Sequence, residues 1–272
     1  VIAYTDTGNS GHGTAIVGTV SGTAISFGTA VVFEAAATGY ISAVYDSNAD
    51  RTVISYMDDD NSDYGTSIVG TVSGTAISFG TAVIFNAGES TYVSSTYDST
   101  AQKVVISYMD GGSSPSNQGT AIVGTVSGTS ISFGTEVIFN AASSNYMGMT
   151  YDANANQVVI GYQETSKGYV ILGTISGTSI SFGTAVVFNN IDTSFISPVY
   201  NSTDNKIVIA YTDTGNSYYG TGIVGTIGDG TFTIGSNYYV QADGSYDTSA
   251  GSPSVKAGLA ISTTSLLLSG DS

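Results

Sequence analysis

Apolar and polar residues alternate along this chain in short runs that are separated by turn-forming residues. The run from Ala76 to Phe85 is the clearest, because Ile77, Phe79, Val83 and Phe85 share one face while mostly small residues occupy the other. A period of two residues predicts a β-strand. Neither face carries the alternating charges of a solvated surface, so we expect both faces of the sheet to be covered.

The same pattern returns five times, with a period of about fifty residues. Gly13 to Phe33, Gly65 to Phe85 and Gly119 to Phe139 are nearly identical, and looser copies run from Gly173 to Phe188 and from Gly220 to Val240. A fixed period of this length indicates a propeller, a solenoid or an array, in which each unit is buried against its neighbours.

Each repeat predicts four strands. In the second repeat they cover Tyr40–Asp46, Val53–Met57, Thr66–Val72 and Ala76–Phe85, with turn residues between them. Four antiparallel strands per repeat, covered on both faces, predict an all-β fold of five four-stranded blades, a β-propeller. An open β-solenoid or array of the same repeats is the alternative.

The repeats fill the chain, so we expect a single repeat domain over residues 1–272. The units cover approximately residues 1–52, 53–104, 105–158, 159–207 and 208–272. The C-terminal segment 241–272 is expected to close the domain by completing the repeat that begins at Val1. Ser265–Leu268 reads as a competing extra strand and favours the open alternative. Because Val1 falls within a repeat, we expect a processed or longer polypeptide.

Composition excludes several classes of function. Five basic residues stand against 21 acidic ones, which gives a formal net charge of −16. Such a surface repels nucleic acid and anionic membranes. The chain has no cysteine, so disulfides and thiolate metal sites are excluded. No run approaches the ~20 apolar residues of a membrane span, so we expect no membrane insertion.

Three motifs carry a resemblance to a known family. They are Tyr97-Asp-Ser-Thr-Ala-Gln-Lys-Val-Val-Ile-Ser-Tyr108, Gly119-Thr-Ala-Ile-Val-Gly-Thr-Val-Ser-Gly-Thr129 and Ser179-Ile-Ser-Phe-Gly-Thr-Ala-Val-Val-Phe188. The chain resembles, over nearly its whole length, the repeats of tail-fibre and other virion-associated proteins of aquatic bacteriophages. The resemblance implies host attachment at a virion or extracellular surface, with other virion or fibre subunits as partners. It supplies no catalytic residues.

The loops after the second strands vary between repeats, whereas the opposite turns are nearly constant. Variation on one face of a constant scaffold is typical of recognition loops. An acid follows the tyrosine of each second strand by two residues. These acids are Asp6, Asp58, Asp110, Glu164 and Asp213. They either accept hydrogen bonds from a ligand or start the turn by binding loop amides.

Carboxylates can accept hydrogen bonds from sugar hydroxyls, and tyrosine rings can stack on sugars, so both types are candidates here. The candidate ligand-binding residues are Asp6, His12, Asp59, Asp60, Asn61, Tyr64, Asn117, Tyr169, Tyr218 and Tyr219. Packing between repeats is the alternative role for the tyrosines.

The densest carboxylate cluster is a candidate for weak Ca²⁺ binding through Asp58, Asp60 and Asp63. It lacks the glycine and the final glutamate of the helix–loop–helix calcium loop, and no other cofactor is expected. His12 is the only histidine, and no nucleophile motif accompanies it. We therefore expect no enzyme.

The sequence thus favours a non-enzymatic binding or adhesion module that recognises a host-surface glycan or another surface or virion protein. A purely structural virion, fibre or decoration component is the second interpretation. A carboxylate-dependent glycosidase is the least favoured, because catalytic acids need individually tuned surroundings and these acids recur in equivalent positions.

Overall fold

The computed structural model describes residues 1–113 and 116–235, together with short strands at 238–240, 246–247, 255–260 and 266–268. Within them the protein is all-β, with three single-turn 3₁₀ segments at Thr7–Asn9, Asp59–Asn61 and Thr214–Asn216. The predicted all-β antiparallel fold is confirmed at this level. The chain divides into unit 1, residues 1–144 with 175–181, and unit 2, residues 145–174 with 182–272.

The strands of the first three repeats are β1 Ile2–Asp6, β2 His12–Ile16, β3 Gly18–Ser21, β4 Ala24–Phe27, β5 Val31–Asp46, β6 Arg51–Asp58, β7 Tyr64–Ser73, β8 Ala76–Phe79, β9 Val83–Asp98, β10 Lys103–Asp110, β11 Gln118–Ser127, β12 Ser130–Phe133 and β13 Val137–Ser143. The later strands are β14 Asn145–Asp152, β15 Gln157–Glu164, β16 Lys167–Ser176, β17 Ser179–Phe182, β18 Val186–Asn189, β19 Thr193–Asn201, β20 Lys206–Asp213, β21 Tyr219–Gly228, β22 Thr231–Ile234, β23 Tyr238–Val240, β24 Tyr246–Asp247, β25 Val255–Ala260 and β26 Leu266–Leu268.

Neighbouring strands pair antiparallel as a repeated meander. In unit 1 the hydrogen-bonded order is β1-β2-β5-β6-β7-β9-β10-β11-β12, with β8 added on β7 and β13 on β11. In unit 2, β14 pairs with β15 and β15 with β16, while β19-β20-β21-β22 form a separate four-stranded sheet. No sheet formed by these described strands closes on itself. The architecture establishes an antiparallel all-β fold, and the five-bladed ring stays a prediction.

The fourth and first strands of consecutive repeats differ from the prediction. The expected strand Ala76–Phe85 ends at Phe79 and restarts at Val83, and β9 then runs on into the next repeat's first strand. Its first half pairs with β7 and its second half with β10, so β9 joins two repeats. The break falls at Gly80, whose N–H donates to the Val69 carbonyl at 2.9 Å.

Glycine is needed at this break because another turn comes in against it. A Cβ on Gly80 would overlap the carbonyl oxygen of Thr129, in the turn of the following repeat, and a Cβ on Gly28 would overlap that of Thr75 in the same way. Only a residue without a side chain allows so close a backbone approach. The invariant Gly-Thr spacing thus fixes how one repeat sits on the next within unit 1.

The core lies between neighbouring repeats of unit 1. One buried cluster joins Val53 and Val69 of the second repeat with Val104 and Ile106 of the third. The first repeat shows what happens without a preceding repeat in the described chain. Ile25 is 49% exposed, whereas the equivalent Ile77 and Ile131 are 5% and 3% exposed. Each repeat therefore depends on its neighbour for burial, as expected for repeat proteins.

The predicted closing segment 241–272 is described only at three of its strands. Of these, β25 pairs with β23 and with β26. The competing strand expected at Ser265–Leu268 is present over Leu266–Leu268 as β26. The other residues of this segment, Ser265 included, lie outside the described part of the chain. Among the described residues, no helix has the length and apolar character that crossing a membrane requires.

We expect Gly80→Ala to destabilise the protein, because its added methyl group would collide with the backbone of Thr129. Overpacking of this kind costs about 1–3 kcal/mol, more where backbone must move. Gly228→Ala is the matched control, since a Cβ there would have no other heavy atom within 4 Å. Chemical denaturation of both variants measures the difference, and equal free energies of unfolding would contradict this account of the break.

Candidate functional site

The variable loops of unit 1 emerge at one end of its sheet, which we call the loop end. Residues facing each other across the first two of these connections are Asp6 with His12 and Asp58 with Tyr64. Asp58 also faces Thr38, so the loop of one repeat lies beside the strand that leaves the previous one. In unit 2, Glu164 faces Lys167 and Asp213 faces Tyr219 at the ends of their own sheets.

Two of the repeated acids hold their own loops in place. Asp6 Oδ1 accepts a hydrogen bond from the Gly8 amide at 3.0 Å. Asp110 Oδ1 accepts one from the Gly112 amide at 3.0 Å and another from Asn86 Nδ2 at 3.2 Å. These carboxylates act as turn caps, which was the structural role considered for them.

Asp58 is different from these turn caps. Its side chain is 9% exposed, and its Oδ1 is buried without a hydrogen-bond partner in the protein. Burial raises the pKa of Asp58, the charge of Glu34 raises it further, and Asp60 and Asp59 add to this against the opposing amide of Asn61. A buried polar atom without a partner is costly, so Asp58 marks an unusual point of the loop end.

Glu34 and Tyr56 complete the surroundings of Asp58. Tyr56 is fully buried, and its Oη donates to Glu34 Oε2 at 3.1 Å. Burial, followed by the charge of Glu34, holds the pKa of Tyr56 far above its usual value, so the phenol stays protonated and keeps donating. Glu34 is half-buried and is reached from solvent. We call Glu34, Tyr56 and Asp58 the carboxyl cluster.

An exposed aromatic ring belongs to Tyr40, on the strand that pairs with β6. Tyr40 is 44% exposed and contacts the ring of Tyr92 with centroids 5.2 Å apart. Its backbone is left-handed at φ 49°, within a β-bulge that interrupts the pairing of β5 with β6. A methyl built on the preceding Gly39 would lie 3.8 Å from a carboxylate oxygen of Asp59. The bulge thus exposes an aromatic side chain on the residue that follows Gly39.

The remaining candidates of unit 1 are divided between loop surface and loop structure. Asp59, Asp60 and Asn61 form the exposed 3₁₀ turn, and half-buried Tyr64 begins β7 immediately after it. In the third repeat, the backbone N–H of Asn117 donates to the Asp110 carbonyl at 2.8 Å and closes the loop.

His12 is held by a neighbouring side chain of its own loop. Its Nδ1 accepts a hydrogen bond from Asn9 Nδ2 at 3.2 Å. The imidazole is half-buried at the start of β2. This contact orients the ring and gives it a structural part in the first loop.

In unit 2 the three candidate tyrosines have different environments. Tyr169 stacks on the buried Tyr162 of the neighbouring strand in the same repeat, with centroids 5.5 Å apart and an interplanar angle of 17°. Tyr218 and Tyr219 are 75% and 52% exposed in the last loop. Phe195, which is 73% exposed, adds a third accessible aromatic ring near the same end of this sheet, where Thr193 faces Asp213.

The candidate calcium ligands Asp58, Asp60 and Asp63 differ in their burial. Among the described residues, no group of three or more histidine, cysteine, aspartate or glutamate side chains is placed to hold a metal ion. Asp60 is exposed, Asp63 is half-buried at φ 61°, and Asp58 is buried beside Glu34. The sequence-based expectation of weak calcium binding stays a prediction.

Sequence reasoning missed Glu34, Tyr56 and Tyr40 as members of this site. Tyr56 and Tyr40 recur at equivalent positions of the repeats, so the sequence marked them as parts of the scaffold and not as members of one site. Glu34 did carry a signal, because the equivalent residues after the conserved phenylalanine are Asn86, Asn140 and Asn189. Comparison of the repeats at this one position could have found it.

Comparison with known proteins gives a fold similarity and no family. No protein-family model and no curated protein matches the chain. A crystal structure of the NanB sialidase from Streptococcus pneumoniae is similar, with a TM-score of 0.51 and 8% identity, over 69% of this chain and 30% of the sialidase. A second NanB structure, with Optactamide, has a TM-score of 0.49 and 9% identity over the same shares. The chain thus spans about 30% of the length of the sialidase that it resembles.

This similarity corrects one sequence-based interpretation. The non-enzymatic adhesion module, with a host-surface glycan or virion protein as its target, is overturned because the similar solved structure is a sialidase. The prediction that the chain is not an enzyme, and the resemblance to bacteriophage proteins, are tested by neither the structure nor the comparisons.

We expect Asp58→Asn to raise the melting temperature at pH 7. The pKa of Asp58 is raised in the folded state, so folding favours its protonated form and disfavours the carboxylate above the ordinary value of 3.8. A neutral amide removes that penalty, and each kcal/mol gained shifts the midpoint by about 2–4 °C. The gain should disappear near pH 3, where the carboxyl is protonated in both states.

Asp110→Asn is the matched control for this prediction. It weakens the acceptor of the Gly112 amide and of Asn86 Nδ2, so it should lower the melting temperature at pH 7. Calorimetry of both variants between pH 3 and pH 7 measures the two shifts in melting temperature. Equal or same-signed shifts would show that Asp58 has no special environment.

Proposed function

We propose that this chain has a carbohydrate-related role, in which the loop end of unit 1 contacts an uncharged glycan. The observation that carries the proposal is the exposed ring of Tyr40, which follows Gly39, a residue whose Cβ position lies 3.8 Å from a carboxylate oxygen of Asp59. An aromatic face supplies apolar contact to a sugar ring, and carboxylates accept hydrogen bonds from its hydroxyls.

The fold similarity supports this role without defining it. The similar solved protein is a sialidase, an enzyme of the glycosidase class, so a related fold is compatible with catalysis on sugars. Fold alone does not determine an activity, so the side chains of the loop end carry the proposed role.

The charge of the chain favours an uncharged glycan over an anionic one. With 21 acidic and five basic residues, the surface repels carboxylated and sulfated sugars. Asp59 and Asp60 are exposed in the 3₁₀ turn, and Glu34 is half-buried beside them in the same region. A sialic acid carries a carboxylate, so we expect a neutral sugar here in spite of the fold similarity.

The finer architecture is also a proposal. We infer that the five repeats are blades of a β-propeller, since the sialidase structures with this fold are β-propellers. The shared core between consecutive repeats of unit 1 supports blades that stack side by side.

We expect the purified chain to bind at least one unbranched, uncharged oligosaccharide in a panel of gluco-, manno-, galacto- and xylo-hexaoses. Tyr40→Ala should weaken that binding about tenfold, roughly 1.4 kcal/mol, by removing the stacking face. Tyr45→Ala is the control, because Tyr45 is 55% exposed on the same strand but at the opposite, turn end. Titration calorimetry measures the affinities.

The same panel also tests for catalysis. Release of new reducing ends from a bound hexaose would make the chain a glycosidase, and binding without release would keep it a binding protein. Absence of binding across the panel, or equal losses in both tyrosine variants, would contradict a carbohydrate role at the loop end.

A further inference from the structure

The repeats serve as internal controls for one another, and one position stands out in that comparison. After the phenylalanine that ends the conserved motif, three repeats carry asparagine at Asn86, Asn140 and Asn189, and one carries Glu34. All four positions lie on a strand that leaves its repeat at the loop end. The exchange of an amide for a carboxylate changes hydrogen-bond donors into acceptors.

The asparagines have a common structural role. Asn86 Nδ2 donates to Ser90 Oγ at 3.0 Å, Asn140 Nδ2 donates to Ser144 Oγ at 2.9 Å, and Asn189 Nδ2 donates to Thr193 Oγ1 at 2.9 Å. Asn86 also donates to Asp110 Oδ1 at 3.2 Å. The amide thus holds the start of the strand that follows. Asn86 also supplies a hydrogen-bond donor to Asp110, the loop acid of the third repeat.

Glu34 supplies none of these donors. It accepts the Tyr56 hydroxyl at 3.1 Å and places a negative charge close to Asp58, whose Oδ1 is buried and has no hydrogen-bond partner in the protein. At the position where Asn86 donates to Asp110, Asp58 therefore faces a second carboxylate. A like-charged pair in this place opposes folding and is not required by the repeat.

A purely structural explanation is that Glu34 only satisfies the buried Tyr56. The third repeat argues against it, because Tyr108 donates there to Glu136 at 2.9 Å while Asn140 keeps its own place after the motif. The hydroxyl of a buried tyrosine can thus find an acceptor without replacement of the asparagine. Asp213 also has an unpartnered Oδ1, but its repeat carries Asn189, so it lacks the second carboxylate.

We propose that Glu34 and Asp58 form a binding pair for a hydroxyl group of an uncharged sugar. The hydroxyl donates a hydrogen bond to Asp58 Oδ1. The hydroxyl thus takes the place that the amide of Asn86 has beside Asp110 in the third repeat. Because Asp58 Oδ1 is buried, the side chains around it must move to admit the hydroxyl, and half-buried Glu34 is the side from which it enters. Glu34 accepts from the same or a neighbouring hydroxyl. Two carboxylates reject an anionic group, so the ligand class is neutral and polyhydroxylated. This inference rests on the carbohydrate role proposed above and assigns the position of its sugar.

The test compares Glu34→Gln with Glu136→Gln, using the hexaose that the wild type binds best. Glutamine at position 34 keeps an oxygen for Tyr56 and adds an amide donor for Asp58, so it fills the place of the sugar hydroxyl. We expect affinity to fall at least tenfold, while the melting temperature equals or exceeds that of the wild type. Glu136→Gln changes the other tyrosine partner and should leave affinity unchanged within a factor of two.

A second readout follows the carboxyl group directly. The side-chain carboxyl ¹³C resonance of Asp58 should shift on addition of the hexaose, and that of Asp213 should stay in place. A site that holds only water would leave the Asp58 resonance unchanged when sugar is added, and this result would overturn the inference.

The outcomes separate this inference from the proposed function. If the wild type and Glu34→Gln bind the hexaose equally, the carboxyl pair is not the sugar site, while the carbohydrate role stands. If Glu34→Gln melts at a clearly lower temperature than the wild type, the like-charge argument is wrong. If the wild type binds no hexaose, the proposed function fails and this inference fails with it.

Discussion

Packing of each repeat against its neighbour is the constraint on which the rest of unit 1 depends. The four-stranded sheet of one repeat has no core of its own, and its apolar residues are buried only where a second repeat covers them. Two equivalent residues of the chain show this dependence: Ile25 is 49% exposed, whereas Ile77, which a preceding repeat covers, is 5% exposed. Strand β9 and the turn that packs on Gly80 fix the relation between repeats, so the loops that follow β6 and β10 emerge side by side.

A constant scaffold of this kind makes a single deviation informative. The loop acids that are hydrogen-bonded, such as Asp110, stabilise their turns and need no ligand to explain them. Asp58 occupies the same place in the repeat but is buried beside Glu34 with an oxygen that has no partner. Functional sites are where proteins retain such locally unfavourable arrangements. The carboxyl cluster and Tyr40 therefore carry the functional interpretation, whereas the repeated acids as a class do not.

The strands and their repetition could be predicted because alternation with period two and a fixed spacing are local properties of the sequence. The break at Gly80 could not, since it depends on the turn at Thr129 in another repeat. The acidic turn at Asp59 was found from composition. Glu34 is separated from Asp58 by 24 positions in sequence, and the two come near each other because Thr38, on the same strand as Glu34, pairs with Asp58. Individual environments of equivalent acids likewise arise from tertiary contacts and are not visible in a motif.

The central claim is that Asp58 and Glu34 hold a hydroxyl of a neutral sugar at the loop end. A crystal structure of the chain with a bound uncharged hexaose tests it most directly. The account predicts a sugar hydroxyl oxygen about 2.5–3.0 Å from Asp58 Oδ1, with a sugar ring against Tyr40. A sugar bound elsewhere on the chain, with an ordered water molecule between the two carboxyl groups, would contradict it.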